Sequence, residues 1–256
     1  MSLKRIRDYY EKEAELLEDH QRQMYFGSPW SRYWHGTRLQ YVVRIARNIS
    51  FKTLLDVGCA EGYYIKILTD NRSNCVAVGL DIAKNYLLKA KKNVTKSLLV
   101  LGDAHHLPFK DKAFDLVLCS ELLEHVVDQE AVLKELLRVS GNYVLLTVAG
   151  ENLPHLIARK LGFIKQKDPY AEAGLGHIHE IKIGELISKA LKMGYRTESM
   201  VLTCYFPPAF PEKHKMPVFF IKIFKILDKI LNKIPMIREY AMVQIALLRK
   251  SSVQNC

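Results

Sequence analysis

Acidic residues follow three successive apolar runs in this 256-residue chain: Asp56 in LLDVGCAEG, Asp81 at the end of CVAVGLD and Asp103 after LLVLG. If the runs are parallel strands, these carboxylates lie together outside the carboxyl ends of the strands, where open α/β sheets bind ligands. Carboxylates in such a place accept hydrogen bonds from hydroxyl and amino groups and repel phosphates. The pattern therefore favours a phosphate-free nucleoside that carries net positive charge.

The turn after the first run is framed by Gly58 and Gly62. Glycine lets a ligand approach the backbone closely, and a carboxylate roughly 20 residues further along is where dinucleotide-binding folds hold ribose hydroxyls. Asp81 has that spacing, and Asp103 can accept a hydrogen bond from the exocyclic amine of adenine. The expected ligand is therefore an adenosine derivative.

Strand and helix patterns alternate on either side of these residues. Predicted strands are TLLDVG, CVAVGLDI, SLLVLGDA, FDLVLCS and YVLLTVA, and predicted helices between them are YYIKILTD, KNYLLKAKKN and DQEAVLKELLRVS. Strands without polar alternation belong in a parallel sheet that is covered on both faces. A further helix at 181–196 and two strands, TESMVLTCYF and YAMVQIALLRK, complete a seven-stranded, doubly wound α/β sheet.

We divide the chain into four parts on this basis. Residues 1–37 form an N-terminal helical arm or lid, and residues 38–206 form the sheet domain, with a substrate-side insertion at 151–180. Residues 207–238 form a proline-rich strap and a basic amphipathic helix, inserted before the last strand and tail at 239–256.

Composition restricts the partners and the compartment. The chain has 38 Lys and Arg against 27 Asp and Glu, a formal charge of +11, which favours nucleic acid, an anionic membrane or a phosphorylated substrate. Its five cysteines include no CxxC pair, which argues against zinc or a disulfide scaffold and for a reducing, cytoplasmic setting. We predict neither a signal peptide nor a membrane-spanning helix.

The sequence resembles class I S-adenosylmethionine-dependent methyltransferases over about residues 38–200, in LLDVGCAEG, VGLDIA, GDAHHLPF, FDLVLCSELLEH and GHIHEIKIGELISKALKMGY. Within that class it is similar to the group that includes the ubiquinone-biosynthesis and sterol-type enzymes. The resemblance implies a Rossmann-like fold with helices on both faces of a mostly parallel sheet. It also implies an enzyme that uses S-adenosylmethionine and releases S-adenosylhomocysteine.

Carried over residue by residue, the resemblance implies a cofactor site built from the arm and the strand ends. The turn from Gly58 to Gly62 would face the methionine and ribose, Asp81 the ribose, and Asp103 the adenine. Glu121 would border the sulfonium, and an arm residue would meet the cofactor carboxylate. The full predicted set is Tyr33, Arg38, Asp56, Gly58, Cys59, Ala60, Gly62, Asp81, Ile82, Asp103, Ala104, Ser120 and Glu121.

One position departs from the family pattern, because Ala60 stands where relatives usually have a third glycine. The methyl group of alanine disfavours a positive φ. We therefore expect Ala60 to have an ordinary backbone conformation if the site is intact.

The acceptor side has three candidate catalytic histidines, His177, His179 and His125. Methyl transfer is an in-line displacement that needs alignment, and a base only where the acceptor must lose a proton. The resemblance puts His177 where relatives have a substrate-side histidine, although a capping or packing role fits it equally well. Glu121, Glu124 and His125 match the set that ubiquinone-type O-methyltransferases use for a divalent metal, but packing and pairing are the favoured explanation and we assign no metal.

The segment PVFFIKIFKILDKILNKIP predicts a helix between Pro217 and Pro235 with a basic face and a wide apolar one. Lys222, Lys225, Lys229 and Lys233 share the basic face, with Asp228 and Asn232 on the same side. Three partners fit the apolar face: the sheet domain itself, a second subunit in a homodimer, or an anionic membrane met through residues 217–235.

These patterns predict a methyltransferase that acts on oxygen or carbon of a small, hydrophobic or lipid-linked acceptor, in the cytoplasm or at the inner face of the membrane. An RNA or protein methyltransferase is the first alternative, suggested by the charge, but nucleic acid is disfavoured because no RNA-binding module is recognisable. A module that binds S-adenosylmethionine or S-adenosylhomocysteine without catalysis is the second. A nicotinamide-dependent dehydrogenase lacks support because its glycine fingerprint is missing.

Overall fold

The computed structural model describes residues 2–70, 72, 74–150, 157, 160–162, 181–206 and 217–251. Its strands are β1 (Thr53–Val57), β2 (Val76–Asp81), β3 (Leu98–Leu101), β4 (Phe114–Ser120), β5 (Ser140–Ala149), β6 (Tyr195–Thr203) and β7 (Val243–Lys250). They form one seven-stranded sheet in the order β3-β2-β1-β4-β5-β7-β6. Neighbouring strands are parallel except for β7, which runs antiparallel between β5 and β6. The predicted mostly parallel, doubly wound sheet is confirmed.

The helices cover both faces of this sheet. They are α1 (Leu3–Leu16), α2 (His20–Phe26), α3 (Pro29–Ser31), α4 (Thr37–Arg47), α5 (Tyr63–Thr69), α6 (Lys84–Asn93), α7 (Gln129–Val139), α8 (Ile183–Lys192), α9 (Val218–Leu231) and α10 (Pro235–Arg238). A π-helical turn, Arg32–Gly36, leads into α4, and a 3-10 turn, Leu123–His125, follows β4. Pro235 starts α10 instead of closing the basic helix, in agreement with the tolerance of proline in a first helical turn.

Two apolar cores explain why the strands lack polar alternation. In β1, Leu54 belongs to the core under α4 and α5, and its neighbour Leu55 belongs to the core under α7 and α8. In β4, Leu116 and Val117 divide between the two cores in the same way. Because successive strand residues point to opposite faces, a strand that is covered on both sides has to be apolar at every position.

Two carboxylates attach the N-terminal arm to the sheet domain. Glu11 on α1 accepts hydrogen bonds from the backbone amides of Lys84 and Asn85, each at 2.8 Å, at the start of α6. Glu61 accepts from the amides of His20 and Gln21 at 3.0 and 2.9 Å, at the start of α2. Each carboxylate satisfies amides that have no partner within their own helix and lies at the positive end of the helix dipole.

The insertion before β7 is anchored by the buried carboxylate of Asp228 on α9. The Tyr33 hydroxyl donates to both oxygens of Asp228 at 2.9 Å, and the Tyr205 amide donates to one of them at 3.0 Å. Asp228 lies on the same side of α9 as Lys225, Lys229 and Asn232, as predicted, but it is only 5% exposed because its carboxylate is turned toward these hydrogen-bond donors. In the described residues, no helix is both long and apolar enough to cross a bilayer.

We expect Asp228→Ala to lower the free energy of unfolding by about 2–4 kcal/mol, because the buried Tyr33 hydroxyl and Tyr205 amide lose their acceptor. Urea denaturation followed by circular dichroism measures this change. Lys222→Ala, on the exposed side of the same helix, is the matched control and should change the value by less than about 0.5 kcal/mol. Equal effects of the two substitutions would contradict the anchoring role of Asp228.

Candidate active site at the carboxyl edge of the sheet

Asp81, at the end of β2, holds the glycine turn against the sheet. One of its carboxylate oxygens accepts from the Ala60 amide at 2.8 Å, and the other accepts from the Ala83 amide at 2.9 Å. Burial raises the pKa of Asp81 to about 6, although the amide donors act in the opposite direction. The predicted ribose-binding carboxylate and the predicted turn are therefore in direct contact.

The turn itself has left-handed backbone at three alternating positions. The φ angles are 77° at Gly58, 44° at Ala60 and 79° at Gly62. The expectation of an ordinary conformation at Ala60 is thus wrong. A left-handed alanine costs about 1–2 kcal/mol, which the hydrogen bond from its amide to Asp81 and the bonds from the Gly58 and Cys59 amides to the Leu80 carbonyl offset.

Asp56, in β1, is a buried carboxyl group that is 1% exposed. Neither of its oxygens has a hydrogen-bond partner among the residues that the structure describes. Burial, followed by the nearby charge of Asp81, raises the pKa of Asp56 to about 8. An unsatisfied buried acceptor is costly, so this carboxyl is suited to receive the ammonium or hydroxyl donors of a ligand.

Arg38, at the start of α4, supplies a buried positive charge at the same edge. Its Nη1 lies 2.5 Å from Oε2 of Glu121, and the arginine side chain is 2% exposed. Its Nε has no hydrogen-bond partner in the described ranges. Glu121 follows β4 at φ 53°, a strained left-handed conformation, and its amide donates to the Thr147 carbonyl at 3.0 Å. The pair leaves a guanidinium donor for an anionic ligand group.

Glu124 and Tyr10 close the site from two sides. One oxygen of Glu124 accepts from the Ala149 amide at 2.5 Å, and burial together with Glu121 raises the Glu124 pKa. The Tyr10 ring meets the His125 ring edge-on, with centroids 5.7 Å apart. The Tyr10 hydroxyl is buried without a partner within the described part of the chain, and burial also raises its pKa.

The sequence motifs do not indicate three residues that lie at the site or hold its elements in place: Tyr10, Glu11 and Glu61. In α1, Tyr10 and Ala14 are four residues apart and pack with Ala83, which directly follows the β2 end of the sheet. That helical spacing was a signal available in the sequence. The capping contacts of Glu11 and Glu61 reach across at least 40 residues of sequence, so no local pattern could have indicated them.

The remaining predicted residues divide into three groups. Asp103 accepts from the His105 amide at 3.0 Å and contacts its ring at 2.6 Å, and the Ser120 hydroxyl lies 2.8 Å from that of Thr147. Ala104 and Cys59 are buried, and Ile82 is partly exposed, in the loops that follow the strands. His177 and His179 lie outside the described residues.

The predicted contact of Tyr33 with the cofactor carboxylate stays a prediction, and in the structure the Tyr33 hydroxyl has a partner within the protein. Its hydroxyl is engaged by Asp228 at 2.9 Å, and its ring packs beside Trp30 and Phe224. Tyr33 therefore anchors α9, and Arg38 is the candidate that retains a guanidinium donor at the strand ends.

Glu121 and Glu124 each contact another group of the protein through one oxygen. Among the described residues, no group of three or more His, Cys, Asp or Glu side chains is arranged to hold a metal ion. Glu121 pairs with Arg38, and Glu124 binds a backbone amide. Both carboxylates therefore have partners within the protein.

Part of the chain is similar in sequence to known methyltransferases. A family model described as a methyltransferase domain matches residues 55–143. The ubiquinone biosynthesis O-methyltransferase of Aliivibrio fischeri (strain MJ11) is 31% identical over 123 residues, 45% of this chain and 52% of the relative. The tRNA U34 carboxymethyltransferase of Nautilia profundicola is 32% identical over 144 residues, 54% of this chain and 48% of the relative. The chain spans only about half the length of the curated relatives that it matches.

The whole fold is similar to that of a solved structure. The magnesium protoporphyrin IX methyltransferase of Synechocystis PCC 6803, crystallised with bound SAH, superposes with a TM-score of 0.66. The alignment covers 98% of this chain and 100% of that chain at 15% sequence identity. At this identity the likeness establishes the fold.

Replacement of Asp56 by asparagine tests whether the Asp56 carboxyl is protonated in the folded protein. Folded Asp56 keeps its proton up to about pH 8, whereas an unfolded aspartate loses it near pH 3.9. The folded state therefore binds more protons between these values, and stability falls as pH rises through this window. We expect Asp56→Asn, which cannot titrate, to reduce the loss of unfolding free energy between pH 6 and pH 8, measured by urea denaturation at both pH values.

Asp70→Asn, at an exposed position after α5, is the control for the lost formal charge and should leave this pH dependence unchanged. An identical pH dependence in wild type and Asp56→Asn would show that Asp56 is ionised in the folded protein.

Fold and sequence lead to the same assignment. The order of the strands, the left-handed turn after β1 and the acidic residue at the end of β2 lie within or beside the segment that the family model matches. Residues 55–143 match the model of a methyltransferase domain, and the chain has the Rossmann-like fold of the solved methyltransferase.

Proposed function

We propose that the protein transfers a methyl group from S-adenosylmethionine to oxygen or carbon of a small, hydrophobic or lipid-linked acceptor and releases S-adenosylhomocysteine. The observation that carries the proposal is a set of buried polar groups without partners at the carboxyl edge of the sheet. Among the described residues, neither oxygen of Asp56 nor the Nε of Arg38 has a hydrogen-bond partner, and an ammonium group bound beside Asp56 would favour its ionised form. An amino acid end with an ammonium and a carboxylate is complementary to this pair.

The neighbouring residues support the rest of the cofactor. Asp81 ends β2 beside the turn and would accept from the ribose hydroxyls. Asp103 follows β3 and would accept from the adenine amine. The left-handed backbone from Gly58 to Gly62 keeps bulky side chains away from the bound molecule.

Alignment is the main contribution that this chain would make to the reaction. The cofactor, when bound, supplies an electrophilic methyl group on a positively charged sulfur. Glu121, paired with Arg38, would lie at the sulfonium end and, when ionised, favour its positive charge. Tyr10 on α1 would cover the site and exclude water, since Tyr10 and Ala60 of the glycine turn both pack against the cluster that contains Ala83.

Three histidines are candidates for the general base that would take a proton from the acceptor. His125 follows β4 and contacts Tyr10, which gives it a place beside the cofactor edge. His177 and His179 keep the role that their motif predicts. A base is needed only if the acceptor is a hydroxyl group or an acidic carbon, because an already anionic acceptor has no proton to lose.

The exposed surface of α9 supports a hydrophobic acceptor and peripheral contact with an anionic membrane. Phe219 and Ile226 are 66% and 61% exposed and follow one side of the helix, next to its lysines. A helix with exposed apolar residues beside a basic stripe can lie in a membrane interface. A second subunit on the same surface would place the lysine stripes of two copies near each other, which disfavours the homodimer.

An RNA methyltransferase is the second candidate. Two observations favour it, the formal charge of +11 and a relative that carries out tRNA U34 carboxymethylation. Sequence-specific RNA binding usually needs aromatic or arginine platforms for unstacked bases. The exposed aromatic residues on α9 lie among aliphatic side chains instead, as expected of a surface that meets hydrocarbon.

Binding of S-adenosylhomocysteine, measured by isothermal titration calorimetry, tests the cofactor site. We expect the wild-type protein to bind it and to ignore NAD. Asp81→Asn should weaken binding by about 100-fold, because an amide can accept with only one of its two terminal atoms. Asp70→Asn should bind as the wild type does, and normal binding by Asp81→Asn would show that the ribose lies elsewhere.

Transfer of a labelled methyl group tests the acceptor. We expect label from S-adenosylmethionine to enter the organic phase when the protein is incubated with total lipid and quinone extract, because the proposed acceptor is hydrophobic. Recovery of the label in RNA or protein, with none in the organic phase, would favour the second candidate. Cofactor binding without transfer to any fraction would favour a non-catalytic module.

A further inference from the structure

A groove of about 340 Å³ opens between α4, the carboxyl end of β6 and α9. It is lined by Arg44 of α4 and by Lys225 and Lys229 of α9, with the amide side chains of Gln40 and Asn232 between them. The acidic strand ends and the Arg38–Glu121 pair are not part of its lining. The groove is thus separate from the proposed cofactor site.

The charge of the groove is unbalanced. Within the described residues, no carboxylate lies within ion-pair distance of Arg44, Lys225 or Lys229, and the Arg44 guanidinium rests on the Tyr41 ring, 4.5 Å from its centroid. The one acid in the lining, Asp228, is turned inward to the Tyr33 hydroxyl. Three cations with amide donors beside them are complementary to an anion with several acceptor oxygens, such as a phosphate group.

An apolar strip runs along α9 on the far side of its lysines. With 3.6 residues per helical turn, Phe219, Ile226 and Ile230 share one side of α9, and they are 66%, 61% and 54% exposed. The lysines lie between this strip and the groove. A soluble phosphate compound would contact only the groove. A lipid would place its phosphate in the groove and its hydrocarbon against the strip.

We propose that the groove binds the phosphate group of an anionic lipid while the apolar strip of α9 lies in the hydrocarbon beside it. Arg44 provides the planar guanidinium fork, and Lys225 and Lys229 provide charge at the rim. The inference rests on the membrane contact of the proposed function and is independent of methyl transfer. It adds a headgroup site to what would otherwise be a nonspecific electrostatic attraction.

Vesicle binding by the full-length protein tests the headgroup site. Phosphatidylcholine vesicles carry either phosphatidic acid or, at matched surface charge, oleate, so that only the phosphate differs between the anionic components. We expect a preference of about tenfold for phosphatidic acid, the scale of one good charge-assisted hydrogen bond. Arg44→Gln combined with Lys229→Gln should abolish this preference.

Lys222→Gln combined with Lys233→Gln is the matched control, since it removes the same charge from lysines outside the groove lining. It should weaken binding to both vesicles equally and keep the preference. Loss of the preference in both pairs, or its survival in the Arg44 and Lys229 pair, would overturn the headgroup site. Thermal unfolding and S-adenosylhomocysteine binding of each variant identify a folding defect.

Two further measurements identify the source of the phosphate. Phe219→Ser combined with Ile226→Ser should reduce vesicle binding at least about tenfold, because two apolar side chains no longer enter the hydrocarbon. Unchanged vesicle binding by this variant, together with Arg44-dependent binding of glycerol 3-phosphate, would show that the ligand is a soluble phosphate ester and not a lipid.

Arg44-dependent binding of single-stranded RNA that displaces the protein from vesicles would show that the ligand is RNA and not a lipid. Failed methyl transfer with intact phosphatidic acid preference would overturn the catalytic proposal alone.

Discussion

The buried ion pair between Arg38 and Glu121 is the interaction on which the architecture of the candidate site depends. Asp56, Asp81 and Glu124 are buried at the same sheet edge, and all three have raised pKa values because burial disfavours their charge. Arg38 is a buried cation that pairs with Glu121 and also acts on the charge of Glu124. It belongs to the first turn of α4, so the position of that helix determines both the charge balance of the strand ends and the donor available to a ligand.

Helix α4 also relates the two functional surfaces proposed for this chain. Arg38 points to the carboxyl edge of the sheet, and Arg44, less than two turns later, lines the groove beneath α9. Asp228 connects the same parts from the other side, because it receives the hydroxyl of Tyr33, which precedes α4, and holds α9 against β6. A rigid α4 would therefore maintain a fixed distance between a membrane-bound phosphate and the transferred methyl group.

Helix α1 differs from the rest of the N-terminal arm, because its attachment is largely polar, whereas Tyr25, Trp30 and Tyr33 belong to an apolar core. Glu11 and Glu61 each accept two backbone amides at a helix start, and few large apolar side chains of α1 are buried. Contacts of this kind exchange readily with water.

The local pattern of the sequence was sufficient for the sheet and for the acidic strand ends. Strand β4 and helix α6 have the predicted limits, because apolar runs and helical periodicity are set by neighbouring residues. The same reasoning failed at Ala60, whose positive φ is imposed by the hydrogen bond to Asp81, a residue 21 positions away. No local pattern could have indicated the hydrogen bond between Tyr33 and Asp228, which are 195 positions apart.

By itself, the sequence determined the class of fold and the chemical character of the strand-end ligand, because both depend on residue type and on short spacings. Tertiary structure alone decided which buried groups of the described residues lack a partner, that Tyr33 bonds Asp228 while Arg38 pairs with Glu121, and that Arg44 joins the α9 lysines in one groove. These outcomes depend on distances between side chains far apart in the chain, and such distances exist only after the helices have packed against the sheet.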